Sequence, residues 1–315
     1  MRKRVVLQDI ANELNVSKNT VSRALRDCID ISEETKVKIK NKANEMGYVP
    51  NALSIFFREN LSRLVGIVTS DLNNPYYSIH IDKLINKLSE YGFAPITILT
   101  NSGYLDFKIL KHLLNYQVCA IISFQDYSNE TYEFLKDKNI PILLYGLLSK
   151  YQNTKAVYTD DFEGGRLIAK EFLSSKKYQN PCMIAWQEDV ETFHRRRDGF
   201  ITELKENNIM APIYIVGYGD KEKYTPIIEN NHDFVFAYCD ALGVDLKDYL
   251  KEKNYKCKVY GFDGINYHNT HYKKVSSISC DAELMAAYTA IQIKKYICNP
   301  NYEIQSKMFP VKLRK

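Results

Sequence analysis

The sequence predicts an N-terminal all-α domain with a helix-turn-helix, followed by a larger α/β domain of two similar lobes. Within residues 7–46, apolar side chains recur at helical spacing in three short blocks separated by turn-forming residues. From residue 63 onward, apolar runs rich in Ile, Val and Leu alternate with amphipathic stretches, a pattern typical of parallel sheets covered by helices. The charge is also uneven, since residues 1–63 hold 12 Lys and Arg against 8 Asp and Glu and so carry +4 of the total net charge of +5.

Bulk composition argues against several classes of protein. At 315 residues, with 45% hydrophobic and 26% charged residues, the chain is long and apolar enough for about two domains, and wholesale disorder is not expected. The N-terminus MRKRVVLQDI has no signal-peptide core and no stretch is long enough to span a membrane, so we expect a cytoplasmic protein with no membrane partner. The seven cysteines include no CxxC pair, which favours reduced thiols over a disulfide framework or a zinc site; no cofactor is expected.

Three short helices are expected in the head. Leu7 to Leu14 has the spacing of an amphipathic helix. The turn NVS follows, and Ser17 is a favourable N-cap for a second helix over KNTVSRAL. Ser32 is the expected N-cap of a third helix, which should stop at Gly47. A tight turn between the first two of three short helices is the mark of a helix-turn-helix domain.

The start of the second helix carries polar side chains of the kind that such domains place in the major groove of DNA. Asn19 can pair with adenine, and Lys18 and Arg23 can donate to guanine. Hydroxyl groups that suit phosphate contacts come from Ser17, Thr20 and Ser22. Taken alone, these residues also fit a three-helix domain with ordinary capping, so the pattern leaves both interpretations open.

A family resemblance over residues 7–53 favours the DNA-binding interpretation. DIANELNVSKNTVSRAL and ISEETKVKIKNKANEMGYVPNAL resemble the N-terminal signature of the LacI/GalR (lactose-repressor) family of bacterial transcription regulators, and the resemblance continues to about Glu283. It implies a DNA-binding head at residues 1–50, a hinge at 51–62, and an effector-binding and dimerisation domain at 63–315. The partners implied are double-stranded operator DNA, a second copy of the chain and a small effector.

The segment PNALSIFFREN is the expected hinge. In the family this segment becomes helical on operator DNA, and an apolar residue seven places after the proline enters the minor groove as a wedge. That residue is Phe57 here, where the family usually has leucine, and Leu53 and Phe56 share its helical face. Asn51 is included among the expected DNA contacts. The alternative is that both phenylalanines pack onto the body.

Eight apolar runs predict the strands of the body, and we expect these strands to be buried. They are RLVGIVTS, APITILT, CAIISF, IPILLYG, CMIAW, IYIVGY, FVFAYC and CKVYGFD. The resemblance implies a two-lobed fold similar to periplasmic sugar-binding proteins, with three crossings between the lobes near Tyr158–Asp160, Ile278–Asp281 and Tyr302. Lobe 1 would then hold about 63–158 and 281–302, and lobe 2 about 159–279 and 303–315.

Residues at strand ends are the candidates for an effector site, because ligands of parallel α/β sheets bind at the carboxyl ends of the strands. SDLNNPYY resembles a family segment in which Tyr76 or Tyr77 would offer an aromatic face to a sugar ring. Arg196 and Asp263 stand where the family keeps an effector-binding arginine and aspartate. The guanidinium fork suits ring hydroxyls or a carboxylate.

Two further candidates and one alternative accompany these residues. Asp240 belongs to the pair Cys239-Asp240, where the family usually has Asn-Asp. Trp186 ends a strand, where it could stack on a ligand or simply pack. The run Arg195–Arg197 also fits an ordinary surface cluster of charge.

These features lead to a hypothesis about function. The chain has no GxxxxGK[ST], HExxH or GxSxG motif, so we do not expect an enzyme. We expect a homodimeric, sequence-specific DNA-binding repressor of a carbohydrate-utilisation operon, controlled by a small carbohydrate-like effector. Gly146 and Gly264 replace acids common in the family, and this departure favours an unusual sugar, phosphorylated or aminated. The alternative is control by a phosphorylated carrier protein or a non-sugar effector.

Overall fold

The chain divides into two compact units, Met1–Leu61 and Ser62–Lys315. The structure is a computed structural model. It describes residues 5–49, 62–186, 190–217, 221–265, 271, 275–299 and 301–314. The hinge contacts predicted at Asn51, Leu53, Phe56 and Phe57 lie outside the described residues.

The described part of the head contains three helices, α1 (Leu7–Leu14), α2 (Lys18–Ala24) and α3 (Glu33–Glu45). Both predicted N-caps are confirmed. The Ser17 hydroxyl accepts from the Thr20 amide at 2.9 Å, and Ser32 does the same for Thr35 at 3.3 Å. Apolar residues from all three helices form one small core: Ile10, Ala11, Val21, Ala24, Ile39 and Ala43.

The described residues of the body build two six-stranded sheets. The first has the order β2-β1-β3-β4-β5-β11, and all its described pairings are parallel. Its strands are β1 (Leu64–Thr69), β2 (Ala94–Leu99), β3 (Ala120–Ser123), β4 (Ile142–Tyr145), β5 (Ala156–Thr159) and β11 (Lys307–Phe309). We call the half built on this sheet lobe 1.

The second sheet, which defines lobe 2, has the equivalent order β7-β6-β8-β9-β10-β12. Its strands are β6 (Pro181–Ala185), β7 (Ile213–Ile215), β8 (Phe234–Ala237), β9 (Lys258–Phe262), β10 (Ser276–Ser279) and β12 (Lys312–Arg314). These pairings are parallel apart from β12, which runs antiparallel to β10.

Helices cover the sheets and enclose hydrophobic clusters against them. They are α4 (Pro75–Glu90), α5 (Phe107–Asn115), α6 (Asn129–Leu135), α7 (Asp161–Ser174), α8 (Glu191–Glu206), α9 (Thr225–Glu229), α10 (Asp240–Glu252) and α11 (Ala282–Cys298). A short 3-10 helix spans Lys221–Tyr224. In the part of the chain that the structure describes, no helix has both the length and the apolar character needed to cross a membrane. The predicted fold class, a helix-turn-helix head on a two-lobed α/β body, is confirmed.

The chain passes between the two sheets after β5, after β10 and after β11. The third crossing therefore falls between Phe309 and Lys312, and its prediction near Tyr302 was wrong. The reason is β11, which pairs with β5 and buries Phe309 in the lobe 1 core. A strand of three residues is too short to show a period in the sequence.

Two of the predicted strands are less buried than their composition suggested. APITILT and IYIVGY form β2 and β7, which lie at the edges of their sheets. Leu99 on β2 is 51% exposed and Ile215 on β7 is 39% exposed. The expectation of buried strands was wrong at these two places, because an edge strand has a neighbour on one side only.

Candidate functional site

The six predicted base and phosphate contacts of the head lie on or just before α2. Ser17, Lys18 and Asn19 are exposed, and Thr20, Ser22 and Arg23 are partly exposed. Helix α2 can present these groups because Val21 and Ala24, on its opposite side, are fully buried. The surface is therefore polar and is held by a packed core beneath it.

Ser17, Thr20 and Arg23 already have side-chain partners within the head. The Ser17 hydroxyl, besides capping α2, lies 2.8 Å from the Thr20 hydroxyl. The Arg23 guanidinium forms an ion pair with Asp30, and each side chain is 41% exposed. Lys18 and Asn19, at the first turn of α2, are the most exposed of the predicted base contacts. Whether they touch DNA stays a prediction.

The second candidate site lies in the body, where the close approach of α7 and α8 positions its charged residues. Gly165 on α7 and Gly199 on α8 are at the contact, and a Cβ at either would lie closer than 3.0 Å to backbone atoms of the facing helix. This approach places Arg196 of α8 against Asp161 of α7. Arg196 Nε donates to Asp161 Oδ1 at 2.8 Å, with both side chains less than 10% exposed.

The remaining contacts of Arg196 tie it to the strand ends of lobe 2. Its Nη1 donates to the carbonyl oxygen of Tyr238, just after β8, at 2.7 Å. The same nitrogen is 3.6 Å from Asp263 Oδ1, just after β9. The guanidinium carbon lies 3.6 Å from the ring centroid of Phe262 and 4.8 Å from that of Tyr238. Arg196 is therefore a buried hub, and the alternative of a surface charge run does not apply to it.

Three carboxyl groups surround this single guanidinium. Burial raises the pKa of Asp263 to about 7, although Arg196 acts in the opposite direction. Burial, together with the charge of Asp263, raises the pKa of Asp240 well above its usual range. Burial also raises the pKa of Asp161, against the opposing effect of Arg196.

The carboxyl group of Asp240 interacts with the Ser277 side chain and with a backbone donor. Its Oδ2 accepts from the backbone amide of Ile265 at 2.7 Å, while its Oδ1 is buried with no hydrogen-bond partner. Oδ1 packs against Gly261, where a Cβ would clash with it. The backbone of Asp263 is unusual for a residue with a side chain, with φ at 119°.

Lobe 1 contributes aromatic groups to the same region. Asn74 caps α4 by accepting from the Tyr76 amide at 3.0 Å, which sets Tyr76 and Tyr77 in the first turn. The ring of Tyr76 lies 4.5 Å from that of His80, whose Nδ1 is 2.9 Å from the Tyr145 hydroxyl. Burial raises the pKa of Tyr76, and Cys280 and Asp263 add to this effect.

Gly146, just after β4, makes room for Tyr76. A Cβ at Gly146 would lie closer than 3.0 Å to the Tyr76 hydroxyl, and φ at this glycine is 81°. A residue with a side chain at this place would therefore displace the tyrosine that reaches in from α4. A cavity of about 390 Å³ adjoins this region, bordered by Tyr76, His80, Asp263, Ile265 and Cys280 among others.

Five of the six predicted effector contacts are gathered around the buried arginine and the aromatic cluster: Tyr76, Tyr77, Arg196, Asp240 and Asp263. The sixth, Trp186, follows β6 and packs against a cluster that includes Val216 and Cys239. An effector-binding role for all six stays a prediction.

Sequence reasoning missed Asp161 and Tyr238, two direct partners of Arg196. Both follow short strands, β5 and β8, so their strand-end position was the available signal. Among the described residues, no group of three or more His, Cys, Asp or Glu side chains is arranged to hold a metal ion.

Residues 6–51 match the model of the family described as bacterial regulatory proteins, lacI family. Over nearly its whole length the chain is similar to the sucrose operon repressor of Lactococcus lactis subsp. lactis, with 26% identity covering 98% of each chain. It is also similar to the ribose operon repressor of Lactococcus lactis subsp. lactis (strain IL1403), with 23% identity covering 97% of this chain and 95% of that one.

Solved structures share the fold. The lac repressor dimer bound to operator and the anti-inducer ONPF superimposes with a TM-score of 0.83 at 17% identity, covering 99% of this chain and 98% of that one. The transcriptional regulator CelR in complex with cellobiose gives a TM-score of 0.68 at 20% identity, covering 99% of both chains. The capped helix-turn-helix, the two equivalent sheets and these similarities agree: the head matches the lacI family of bacterial regulatory proteins, and the whole chain is similar to repressors with the same architecture.

Proposed function

We propose that the protein is a cytoplasmic repressor that binds operator DNA as a homodimer and changes its operator affinity when a small carbohydrate-like effector binds between the two lobes. The observation that carries the DNA-binding part is the capped α2, which exposes Lys18 and Asn19 above a fully packed core. The names of the relatives, repressors of sucrose and ribose operons, support the carbohydrate part.

Two heads are needed to read an operator, so the site should be pseudo-palindromic with half-sites on one face of the duplex. A dimer supplies this symmetry, and the lac repressor structure similar to this chain is a dimer bound to operator. In our proposal residues 51–62 form a hinge that orders on DNA, with Phe57 as the wedge, Leu53 and Phe56 on the same helical face, and Asn51 as a further DNA contact. Opening a base step costs a few kcal/mol and is offset by the contacts that a kinked duplex permits.

The effector part of the proposal rests on the charged and aromatic groups that the two lobes bring to one region. A molecule in contact with Tyr76 of lobe 1 and with Arg196 or Asp263 of lobe 2 would favour one relative arrangement of the lobes. It can change operator affinity only by as much as its affinity differs between the arrangements. The related CelR structure, which contains cellobiose, is consistent with such a site.

The DNA-binding proposal is tested by selecting preferred sequences from a random duplex pool and then measuring affinity by fluorescence anisotropy. We expect an inverted repeat, with log Kd rising steeply with log salt concentration. Asn19→Ala should weaken binding by about 10- to 100-fold, or ~1–3 kcal/mol, and relax the sequence preference.

Asn44→Ala is the matched control, because Asn44 is an exposed residue of α3 outside the predicted contacts. Selection of no sequence, or equal effects of the two substitutions, would contradict the assignment. Unchanged operator affinity in Phe57→Ala would refute the wedge role of Phe57 without affecting the DNA contacts assigned to the head.

A further inference from the structure

The charge around Arg196 is unbalanced, and this imbalance bears on the chemistry of the effector. Asp161, Asp240 and Asp263 are buried near one guanidinium, whose shortest contact with a carboxylate is the 2.8 Å hydrogen bond to Asp161. Arg195 also attracts Asp161, which is therefore the best compensated of the three. Asp240 and Asp263 repel each other when both are charged, and the attraction of Arg196 for them is weaker than its attraction for Asp161.

The hydrogen bonds of the cluster show the same deficit. Arg196 Nη1 is 3.6 Å from Asp263, beyond a good hydrogen bond, while it donates to the Tyr238 carbonyl at 2.7 Å. Asp240 Oδ1 has no hydrogen-bond partner. The carboxyls have neutral donors, among them the Ser277 side chain and the Ile265 amide at Asp240, but share one nearby guanidinium, and burial in a medium of low dielectric makes a shortage of positive charge costly.

The adjoining cavity of about 390 Å³ does not reverse this balance. Its lining includes Lys83 and Arg314, but also Asp263, Asp281 and Glu283. Lys83 lies 3.6 Å from Glu283, so its charge is already engaged. A ligand that approaches Asp263 from the cavity meets an aromatic wall supplied by Tyr76 and a lining with one more acidic than basic side chain.

We propose that the effector of this regulator is a cation, namely a small polyhydroxylated molecule with a protonated amine, such as an amino sugar. This inference rests on the proposed effector site between the lobes. The ammonium group lies in the cavity beside Asp263, and its charge also acts on Asp240, the neighbouring buried carboxyl.

The other chemistries fit less well. A sugar phosphate would bring negative charge to three carboxyls, and the one buried cation among them is already paired with Asp161. A neutral sugar could donate hydroxyl hydrogens to Asp263 but would bring no positive charge to these carboxyls. A bare metal ion finds no group of three ligands among the described side chains.

The experiment measures binding of matched probes to the full-length protein by isothermal titration calorimetry and thermal shift. Each set holds a hexose, its 2-amino derivative, the N-acetylated form and the hexose 6-phosphate, for the gluco, galacto and manno configurations. Mg²⁺ and Ca²⁺ form separate arms. In at least one set we expect the amine to bind ten-fold or more tightly than the other three members.

Variants locate the preference. Asp240→Asn and Asp263→Asn should each reduce the ratio of amine to hexose affinity toward one. Asp198→Asn, at a carboxylate that is 52% exposed and paired with the adjacent Arg197, should keep the ratio. Should one of the buried variants fail to fold, the other variant and the wild-type ratio still decide the question.

The outcomes separate this inference from the proposal on which it rests. Tighter binding of a hexose or a hexose phosphate refutes the cationic effector and leaves the effector site standing. Binding of a metal ion alone refutes the amine. Binding of no probe in any set refutes both the cation and the carbohydrate-like effector, while operator binding is measured independently of either.

Discussion

The two lobes of the body have the same strand order but face each other with different chemistry. The order β2-β1-β3-β4-β5-β11 in lobe 1 corresponds strand by strand to β7-β6-β8-β9-β10-β12 in lobe 2. At the ends of these strands, lobe 1 presents mainly rings, with Tyr76, Phe124 and Tyr145 in edge or tilted contacts. Lobe 2 presents a buried ion cluster centred on Arg196.

The shared topology places side chains at equivalent positions in the two lobes. The types of these side chains decide how much stability a substitution there costs. Aromatic contacts tolerate small changes, since each pair contributes only about 0.5–1.5 kcal/mol beyond its buried area. A buried ion cluster is less tolerant, because removal of one partner leaves the others without compensation. Lobe 2 should therefore respond more strongly than lobe 1 to single substitutions near the site.

The largest effect is expected from Arg196→Ala. It leaves Asp161, Asp240 and Asp263 buried without their cation, and the free energy of unfolding should fall by about 3–5 kcal/mol in urea denaturation. Arg197→Ala is the matched control. Arg197 is 32% exposed and pairs with its neighbour Asp198, so its loss should cost less than about 1 kcal/mol. Similar losses of unfolding free energy in the two variants would show that the buried ion cluster contributes no more to stability than an exposed ion pair.

Gly146→Ala is the corresponding test of lobe 1. The new methyl group meets the Tyr76 hydroxyl, and the positive φ adds strain. Gly103→Ala, with φ at 73° and no atom within 4 Å of the new Cβ, shares only the strain. The difference between the two variants should be about 1–3 kcal/mol, the usual cost of overpacking. Adding Tyr76→Phe to Gly146→Ala removes the hydroxyl that meets the new methyl group and should restore part of the lost stability. Equal losses of stability in Gly146→Ala and Gly103→Ala would show that the Tyr76 hydroxyl does not lie against Gly146.

Asp263→Asn tests the electrostatics of lobe 2 through pH. The pKa of Asp263 is raised to about 7 in the folded protein, so the folded state binds more protons than the unfolded state between about pH 4 and pH 7. Wild-type stability should therefore fall as pH rises through this window, and Asn, which carries no charge, removes this part of the fall.

We compare the free energy of unfolding of Asp263→Asn with that of the wild type by urea denaturation at pH 5 and pH 8. The difference in favour of the variant should be about 1–2 kcal/mol larger at pH 8 than at pH 5. Asp161 and Asp240, whose pKa values are also raised, keep titrating in the variant, so some dependence on pH remains. Asp198→Asn provides the exposed control. A gain at pH 5 that equals the gain at pH 8 would contradict the assigned direction.

The smallest effect is expected from Tyr145→Phe in lobe 1. It removes the hydroxyl that lies 2.9 Å from His80 Nδ1 and keeps the buried ring. The cost should be about 1 kcal/mol, typical of one neutral hydrogen bond. Tyr116→Phe, at a side chain that is 59% exposed, should have almost no effect. If Tyr145→Phe lowered the free energy of unfolding as much as Arg196→Ala does, the expected difference in sensitivity between the lobes would be refuted.

The sequence alone determined those features that depend on near neighbours in the chain. The caps at Ser17 and Ser32 and the helix they precede are local, since a hydroxyl and an amide three residues apart meet whenever the helix forms. Most strands of the body were visible as apolar runs because they are covered by helices on both faces. The family signature added the two-lobed arrangement of these elements.

Only the tertiary structure decided which groups meet across the chain. The third crossing depends on three residues of β11 that pair with β5, about 150 positions earlier. Asp161 became the partner of Arg196 because two glycines let α7 and α8 approach, and Tyr76 reaches the site because Gly146 leaves space for its hydroxyl. Local propensity acts over a few residues, whereas these contacts depend on volume and charge brought together from distant segments, and no local pattern encodes that.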